Sequence, residues 1–242
     1  MISLKQRLFF ILLAISILSL ADDQNYQVGN FQGDALANTI QTVGISGFSF
    51  SSYTSEDRIF FVVKFPDEIE RRSHKSWLWD PIRQHYREDD DFETAFSLTI
   101  ESDDAKFADI WVWRSFMSDP VGMAEDMHSF RKGDEAAKSY TIILRDSGET
   151  CWTSRYFGEF AGERIPRFQH RKANGSIADV SAKSKWADGT WTVSLSRKLD
   201  TGNSDDLCFA EGGLFRIHLN VGLPVAPSGS GLILSIPPRR SP

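Results

Sequence analysis

Two soft sulfur donors follow an aromatic strand near the middle of the chain. Met123 and Met127 are four residues apart, which would place them on one face of a helix that begins at Asp119. Before them, Trp111 and Trp113 alternate with aliphatic residues, so both faces of this strand are apolar and we expect it to lie inside a sheet. A thioether beside an aromatic wall suits a haem iron, but the same residues also serve as ordinary core packing. Both interpretations stay open at this point.

Catalytic chemistry has little support in the sequence. The chain contains no GxSxG motif, no HExxH motif and no phosphate-binding glycine loop. His128 follows Glu125 and Asp126, but on the predicted helix an aspartate two residues before a histidine does not face it. Because no nucleophile and base can be named together, we predict that the chain is not an enzyme.

The other charged and sulfur-containing groups suggest weaker sites. The triplet Asp89–Asp91 lacks the alternating spacing of a calcium loop and is predicted to be a solvated turn. A basic cluster between residues 164 and 172 could hold an anionic group or form a solvated face. Cys151 and Cys208 have no zinc-site spacing, and in an oxidising compartment we expect them to form one disulfide.

The start of the chain predicts export. Lys5 and Arg7 precede the apolar run Leu8–Leu20, which ends at small residues near Ala21. This pattern predicts a signal peptide over residues 1–21 and a periplasmic or secreted protein. The apolar run is too short to span a bilayer comfortably, so we expect no stable membrane insertion after cleavage. A net charge of −6 without long charged runs argues against nucleic acid as a partner.

Short alternating stretches without repeated helices between them predict the fold class. Asp57–Phe65 is apolar on nearly both faces, whereas Thr190–Arg197 has one polar face. We predict an all-β protein, an antiparallel β-sandwich with short helical insertions, in which residues 22–38 form an N-terminal lead and residues 39–242 a single domain. Further strands are predicted in Ile40–Phe50, Phe92–Ile100, Phe107–Arg114, Ser139–Arg145, Cys151–Phe160, Leu214–Val221 and Gly231–Ile236. The long connection Pro66–Asp91 is expected to be tethered by Trp77 and Trp79.

Two motifs carry a resemblance to a known family. They are the W-x-W-R strand, Trp111–Arg114, and the W-x-x-G-x-W-x-V-x-x-x-R-x-L segment from Trp186 to Leu199. With the residues around them, from Asp57 to about Ile236, the sequence resembles the haem-binding domain shared by the ethylbenzene dehydrogenase gamma subunit and related cytochromes. The resemblance implies a β-sandwich that holds one haem and transfers electrons outside the cytoplasm, often beside a molybdenum enzyme of the dimethyl-sulfoxide-reductase type.

The family's axial ligands do not carry over to this sequence. Its b-type members use a lysine and a methionine just before the W-x-W strand, but Phe96–Phe107 contains no methionine. Its c-type members use a CxxCH motif and a late histidine, which this chain lacks. We favour Met123 or Met127 with Lys185, which must be neutral and buried to ligate, beside Trp111 and Trp113. The other candidate donors are Met117, His128, His170 and Lys183.

Two functions from different classes follow. The first is a non-covalently bound b-type haem in an electron-transfer subunit, with a molybdenum-enzyme complex or another redox protein as its partner. The second is a haem-free β-sandwich that binds a carbohydrate or a partner protein. Seven tryptophans give large flat apolar surfaces that suit a porphyrin or a sugar ring equally well.

Overall fold

The computed structural model describes residues 41–45, 48–132, 140–223 and 231–238. In that part of the chain sixteen strands follow one another, and the helical pieces are two 3-10 turns, Asp119–Val121 and Ser176–Ala178. The strands are β1 (Gln41–Ile45), β2 (Phe48–Ser55), β3 (Arg58–Pro66), β4 (Trp77–Asp80), β5 (His85–Glu88), β6 (Ala95–Ser102), β7 (Phe107–Arg114), β8 (Glu125–Lys132), β9 (Tyr140–Arg145), β10 (Trp152–Ser154), β11 (Arg164–Ile165), β12 (Phe168–His170), β13 (Ser181–Ala187), β14 (Thr190–Lys198), β15 (Gly213–Val221) and β16 (Leu232–Ile236). The predicted all-β class is confirmed. The predicted signal peptide and N-terminal lead lie outside the described residues.

Two large antiparallel sheets form the sandwich. The first has five strands in the order β1-β2-β3-β14-β13, and the second has six in the order β16-β15-β6-β7-β8-β9. Two small sheets, β10-β12 and β11-β4-β5, are built from the connections between the large-sheet strands. Among the described helices, none is long and apolar enough to cross a membrane.

The inner faces of the two large sheets pack through aromatic side chains. Trp113 of β7 meets Trp191 of β14 edge to face, with ring centroids 4.9 Å apart, and Trp111 lies 5.1 Å from Phe61 of β3. All four side chains are fully buried. The predicted internal position of the tryptophan strand is therefore confirmed, since β7 pairs with β6 on one side and β8 on the other.

The helix predicted from Asp119 to Phe130 is wrong. Only three residues form a 3-10 turn, which ends at Gly122 in the left-handed region with φ 74°. Glycine adopts this conformation without steric cost, so it can redirect the chain into β8. Residues four apart share a face of a strand as well as of a helix, and the methionine spacing therefore did not distinguish the two.

Other strand predictions needed smaller corrections. The predicted Phe107–Arg114 strand has the observed bounds of β7, whereas Cys151–Phe160 contains only the three-residue β10. Strand β13 was missed, and the long connection predicted at Pro66–Asp91 contains β4 and β5. Its tryptophans do tether it: the Trp77 indole nitrogen donates to the carbonyl of Arg155 at 2.7 Å, and Trp79 packs against Tyr86.

The predicted disulfide is also wrong. Cys151 and Cys208 are both free, the first buried and the second exposed. The Cys151 thiol lies 3.4 Å from the carbonyl oxygen of Met117, to which it donates. Burial raises the pKa of Cys151 to about 12, so the side chain stays a protonated thiol at neutral pH. The thiol form is unreactive, because the thiolate is the nucleophile.

Candidate functional site

The inner face of β7 changes from aromatic to charged along its length. Asp109 shares this face with Trp111 and Trp113, because side chains two residues apart in a strand point the same way. Opposite it on β14, the inward series that begins with Trp191 ends with Arg197. Asp109 and Arg197 are both completely buried. A charged cluster therefore sits inside the sandwich at one end of the aromatic core.

Arg197 is held by three carboxylates. Its Nη2 lies 2.6 Å from Asp109 Oδ2, and its Nη1 lies 2.9 Å from Asp126 Oδ2 and 3.1 Å from Asp206 Oδ1. The guanidinium also stacks over Trp111, 5.0 Å from the ring centroid. This cation–π contact joins the charged cluster directly to the aromatic core.

The cluster has more acid than base. Burial, followed by the charge of Asp109, raises the pKa of Asp126 well above its ordinary value despite the attraction of Arg197. Burial likewise raises the pKa of Asp206 to about 6. One oxygen of each, Asp126 Oδ1 and Asp206 Oδ2, has no hydrogen-bond partner. As a whole, a buried ion-pair cluster of this kind contributes little net stability, although removal of one partner is costly.

The charged cluster leads outward to a groove at the surface. His128 is two residues beyond Asp126 on β8 and shares its face, and its Nδ1 lies 2.5 Å from Asp146 Oδ1. The groove has a volume of about 490 Å³ and is lined by His128, Asp205 and the aromatic rings of Phe107 and Phe130. Its remaining lining includes the cationic side chains of Lys106 and Arg131.

Asp205 is oriented by further contacts, whereas Asp146 has one oxygen without a partner. Asp205 accepts hydrogen bonds from the hydroxyl of Ser176 at 2.9 Å and the backbone N–H of Ser147 at 3.3 Å. The Asp146 side chain is 0 % exposed, and its Oδ2 has no hydrogen-bond partner. Burial raises the pKa of Asp146 to about 7, against the hydrogen bond from His128, and the nearby Asp205 adds to the rise.

All these residues lie in the part of the chain that matches a known family. The sequence model described as "Ethylbenzene dehydrogenase" matches residues 91–221, more than half of the 242 residues. The chain belongs to the ethylbenzene dehydrogenase family. The predicted resemblance is therefore confirmed, and both of its motifs fall inside the matched range. Comparison with curated proteins gave no match.

The ligand set predicted for this family member is not brought together. Met127 pairs with Ile110 and lies on the outer face of the six-stranded sheet, opposite to the face of Trp111 and Trp113. Lys185 is exposed on the outer face of the five-stranded sheet, where it pairs with Thr192. The condition that Lys185 be buried is not met in this structure, and ligation by Lys185 beside Met127 stays a prediction that the geometry does not support.

Met123 does not complete a ligand pair either. It is buried and forms a bridge with Ser181, which is four residues and therefore about 13 Å along β13 from Lys185. Trp111 and Trp113 are brought together, but as core residues surrounded by other aromatic rings. Within the described residues, the predicted wall and the predicted donors therefore belong to different surfaces of the sandwich.

The other candidate donors are all engaged or exposed, and one of them lines the groove. The Met117 sulfur lies 3.1 Å from Arg114 Nη1, His170 Nε2 lies 2.7 Å from the carbonyl oxygen of Phe116, and Lys183 is exposed. His128 is the candidate that lines the groove. Because its Nδ1 already contacts Asp146, the residue has the partner that the sequence interpretation could not identify.

Part of this site had a signal in the sequence. The alternation of Trp191, Val193 and Leu195, continued by two residues, places Arg197 on the inner face, and the same rule places Asp109 there. A buried arginine requires carboxylate partners. Asp146 and Asp205 had no such signal, because they lie in loops, where no alternation marks the direction of a side chain.

Proposed function

We propose that this family member is a non-catalytic partner subunit of a molybdenum oxidoreductase outside the cytoplasm, and that it works as a haem-free binding module. The observation that carries the proposal is the divergence of the haem ligands expected from sequence: Met127 and Lys185 lie on opposite outer faces of the sandwich. Membership of the family supports the partnership, and the predicted signal peptide supports the compartment.

The packing of the sandwich interior also argues against a porphyrin between the sheets. Trp113 contacts Trp191 and Phe65, and Trp111 contacts Phe61 and Phe209. Every one of these side chains has an exposed fraction of 0 %. A close-packed protein interior leaves no room for a flat macrocycle between the two sheets unless the sheets separate.

Electron transfer through one b-type haem is the second candidate function. It is favoured by His128, an imidazole in a groove that also has two aromatic rings and two cationic side chains for propionates. The carboxylates of Asp146 and Asp205 argue against this fit. Their ligand atoms and a nitrogen of His128 lie within 4.8 Å of one another, so they occupy the space beside the imidazole. A porphyrin plane over the imidazole would displace them.

Haemin titration distinguishes the two functions. For the haem-free module we expect no saturable Soret shift at one equivalent, under reducing or oxidising conditions, with the fold shown intact by circular dichroism. Saturable binding that His128→Ala abolishes and the control His218→Ala retains would reject the haem-free proposal in favour of the second candidate. His218 is a suitable control because it also contacts a carboxylate, that of Glu101 at 3.0 Å.

The partnership is tested separately in the native host. Affinity capture of the tagged chain, followed by elemental analysis of the eluted complex, should recover molybdenum in a fixed ratio to the chain. A complex that contains no molybdenum, or a chain that elutes alone at native expression levels, would contradict the role as a molybdenum-enzyme subunit.

A further inference from the structure

We propose that the groove binds one divalent transition-metal ion through His128, Asp146 and Asp205. The three residues come from distant parts of the chain: from β8, from the residue after β9, and from the loop between β14 and β15. One ligand atom from each lies within 4.8 Å of the other two. The fold therefore assembles a three-donor set at the mouth of the charged cluster.

The donor types select the class of ion. One imidazole and two carboxylates suit a first-row divalent ion such as Zn²⁺ or Mn²⁺, whereas Ca²⁺ and Mg²⁺ prefer oxygen ligands alone. Three protein ligands leave at least one coordination position unfilled. His128 and Asp205 both line the groove, so this position faces a space that a water molecule or a small ligand can enter.

A buried unpartnered oxygen is the second, independent indication of a ligand. Asp146 Oδ2 makes no hydrogen bond although the Asp146 side chain is fully buried. Leaving a buried carboxylate oxygen unsatisfied costs at least as much as a lost hydrogen bond. A metal ion beside His128 would supply the missing partner.

The balance of charge also favours a cation. Behind the groove, the single guanidinium of Arg197 faces the acidic groups of Asp109, Asp126 and Asp206, so acidic groups outnumber basic ones there. Asp146 and Asp205 add two more acidic groups. Lys106 and Arg131 are the cationic side chains that line the groove, and among the described residues neither forms a salt bridge with Asp146 or Asp205.

The donors are held in place before any ion binds. Asp205 is fixed through both oxygens by Ser176 and Ser147, and the backbone N–H of Asp146 donates to the carbonyl of Asp126 at 3.3 Å. Supporting contacts of this kind orient the ligands of established metal sites. Preorganised donors lower the ordering cost of binding, and Asp205 is the donor that these contacts fix most fully.

Metal binding would replace the hydrogen bond between His128 and Asp146. The His128 nitrogen and the Asp146 carboxylate, whose Oδ1 now lies 2.5 Å from that nitrogen, would move apart to admit the ion and both coordinate it, and the proton between them would leave to solvent. Nothing is oxidised or reduced in this exchange. The proposal does not depend on the partner-subunit role, since it rests on the chain's own residues.

The test is calorimetric titration of the chelator-treated full chain with Zn²⁺. We expect one ion per chain, weaker binding of Mg²⁺, and at least a tenfold loss of Zn²⁺ affinity in His128→Ala and in Asp205→Asn. His218→Ala is the matched control, because it removes a histidine–carboxylate pair elsewhere and should leave the affinity unchanged. Asp205 is half-buried, so Asp205→Asn is expected to fold even if variants of buried Asp146 do not.

Two results would overturn the proposal. One is the absence of stoichiometric Zn²⁺ binding by the folded parent chain. The other is binding that His128→Ala and Asp205→Asn leave unchanged while circular dichroism shows both variants to be folded. Release of a proton on binding, measured from the dependence of the heat on buffer ionisation enthalpy, is expected in the parent chain and should be smaller in His128→Ala.

Discussion

The two ends of one strand face behave differently in this protein. At one end of β7, Trp113 packs against Trp191 and Phe65, and its indole nitrogen donates to Asp119 Oδ1 at 2.9 Å. At the other end, four residues away on the same face, Asp109 pairs with Arg197 in equally complete burial. The aromatic end stabilises the sandwich, and the charged end positions groups that continue to the groove.

The contrast shows that burial alone does not identify a residue's role. Burial of a tryptophan removes a large apolar area from water and is favourable. Burial of an ion pair roughly cancels its attraction against the loss of solvation. The charged end therefore has no clear advantage as core packing, whereas the groups beyond it, His128, Asp146 and Asp205, hold ligand atoms within 4.8 Å of one another.

The aromatic end should show the largest effect on stability. Trp113→Ala removes a fully buried indole from between the sheets and should lower the free energy of unfolding by about 3–5 kcal/mol, because a cavity remains. Urea denaturation followed by circular dichroism measures the change. Thr192→Ala on the outer face of β14 is the control and should stay within about 0.5 kcal/mol. Equal effects of the two variants would contradict the described core.

At the charged end, replacement of Arg197 should lower stability because buried charges lose their partner, and not because a cavity forms. Arg197→Met leaves three buried carboxylates without their cation and should lower the free energy of unfolding by about 3 kcal/mol at neutral pH. This is the lower end of the range for breaking a buried ion pair, because Asp126 and Asp206 can take up protons. Adding Asp109→Asn should recover part of the loss, as a double-mutant cycle would reveal. Arg216→Met, which removes an arginine at the surface, should cost less than about 1 kcal/mol. Failure of Asp109→Asn to recover stability would show that charge is not the cause.

The pKa of Asp91, in the connection between β5 and β6, is shifted in the opposite direction to the pKa values of Asp126 and Asp206 in the charged cluster. Burial alone would raise the pKa of Asp91, but hydrogen bonds from Ser76, Ser73 and Arg164 outweigh it and lower the pKa to about 2. A lowered folded-state pKa means that Asp91 stabilises the fold above its unfolded pKa, and that this contribution disappears as pH falls from about 4 through about 2.

Asp91→Asn should therefore cost about 2 kcal/mol at pH 7 and nearly nothing at pH 2, measured by denaturation across that range. Asp90→Asn is the matched control, because the Asp90 side chain is fully exposed, and should have little effect at either pH. A cost for Asp91→Asn that does not change with pH would contradict the assigned hydrogen bonds.

Alternation along strands predicted the sandwich and the internal position of β7, because inward residues such as Trp111 and Trp191 are marked by both type and spacing. It failed after Asp119, where the four-residue spacing of the methionines fitted helix and strand alike, and the chain forms a 3-10 turn that ends at Gly122. The groove could not be predicted, since His128, Asp146 and Asp205 are far apart in sequence and meet only through tertiary packing.

The central claim is that the charged end of the sandwich opens onto a site for a small metal ion and not for a haem. The most direct measurement is anomalous X-ray scattering at the zinc absorption edge from crystals of the Zn²⁺-loaded full chain. The account predicts one strong peak among His128, Asp146 and Asp205. A peak only at other residues, or no peak at this position in crystals of fully loaded protein, would contradict it.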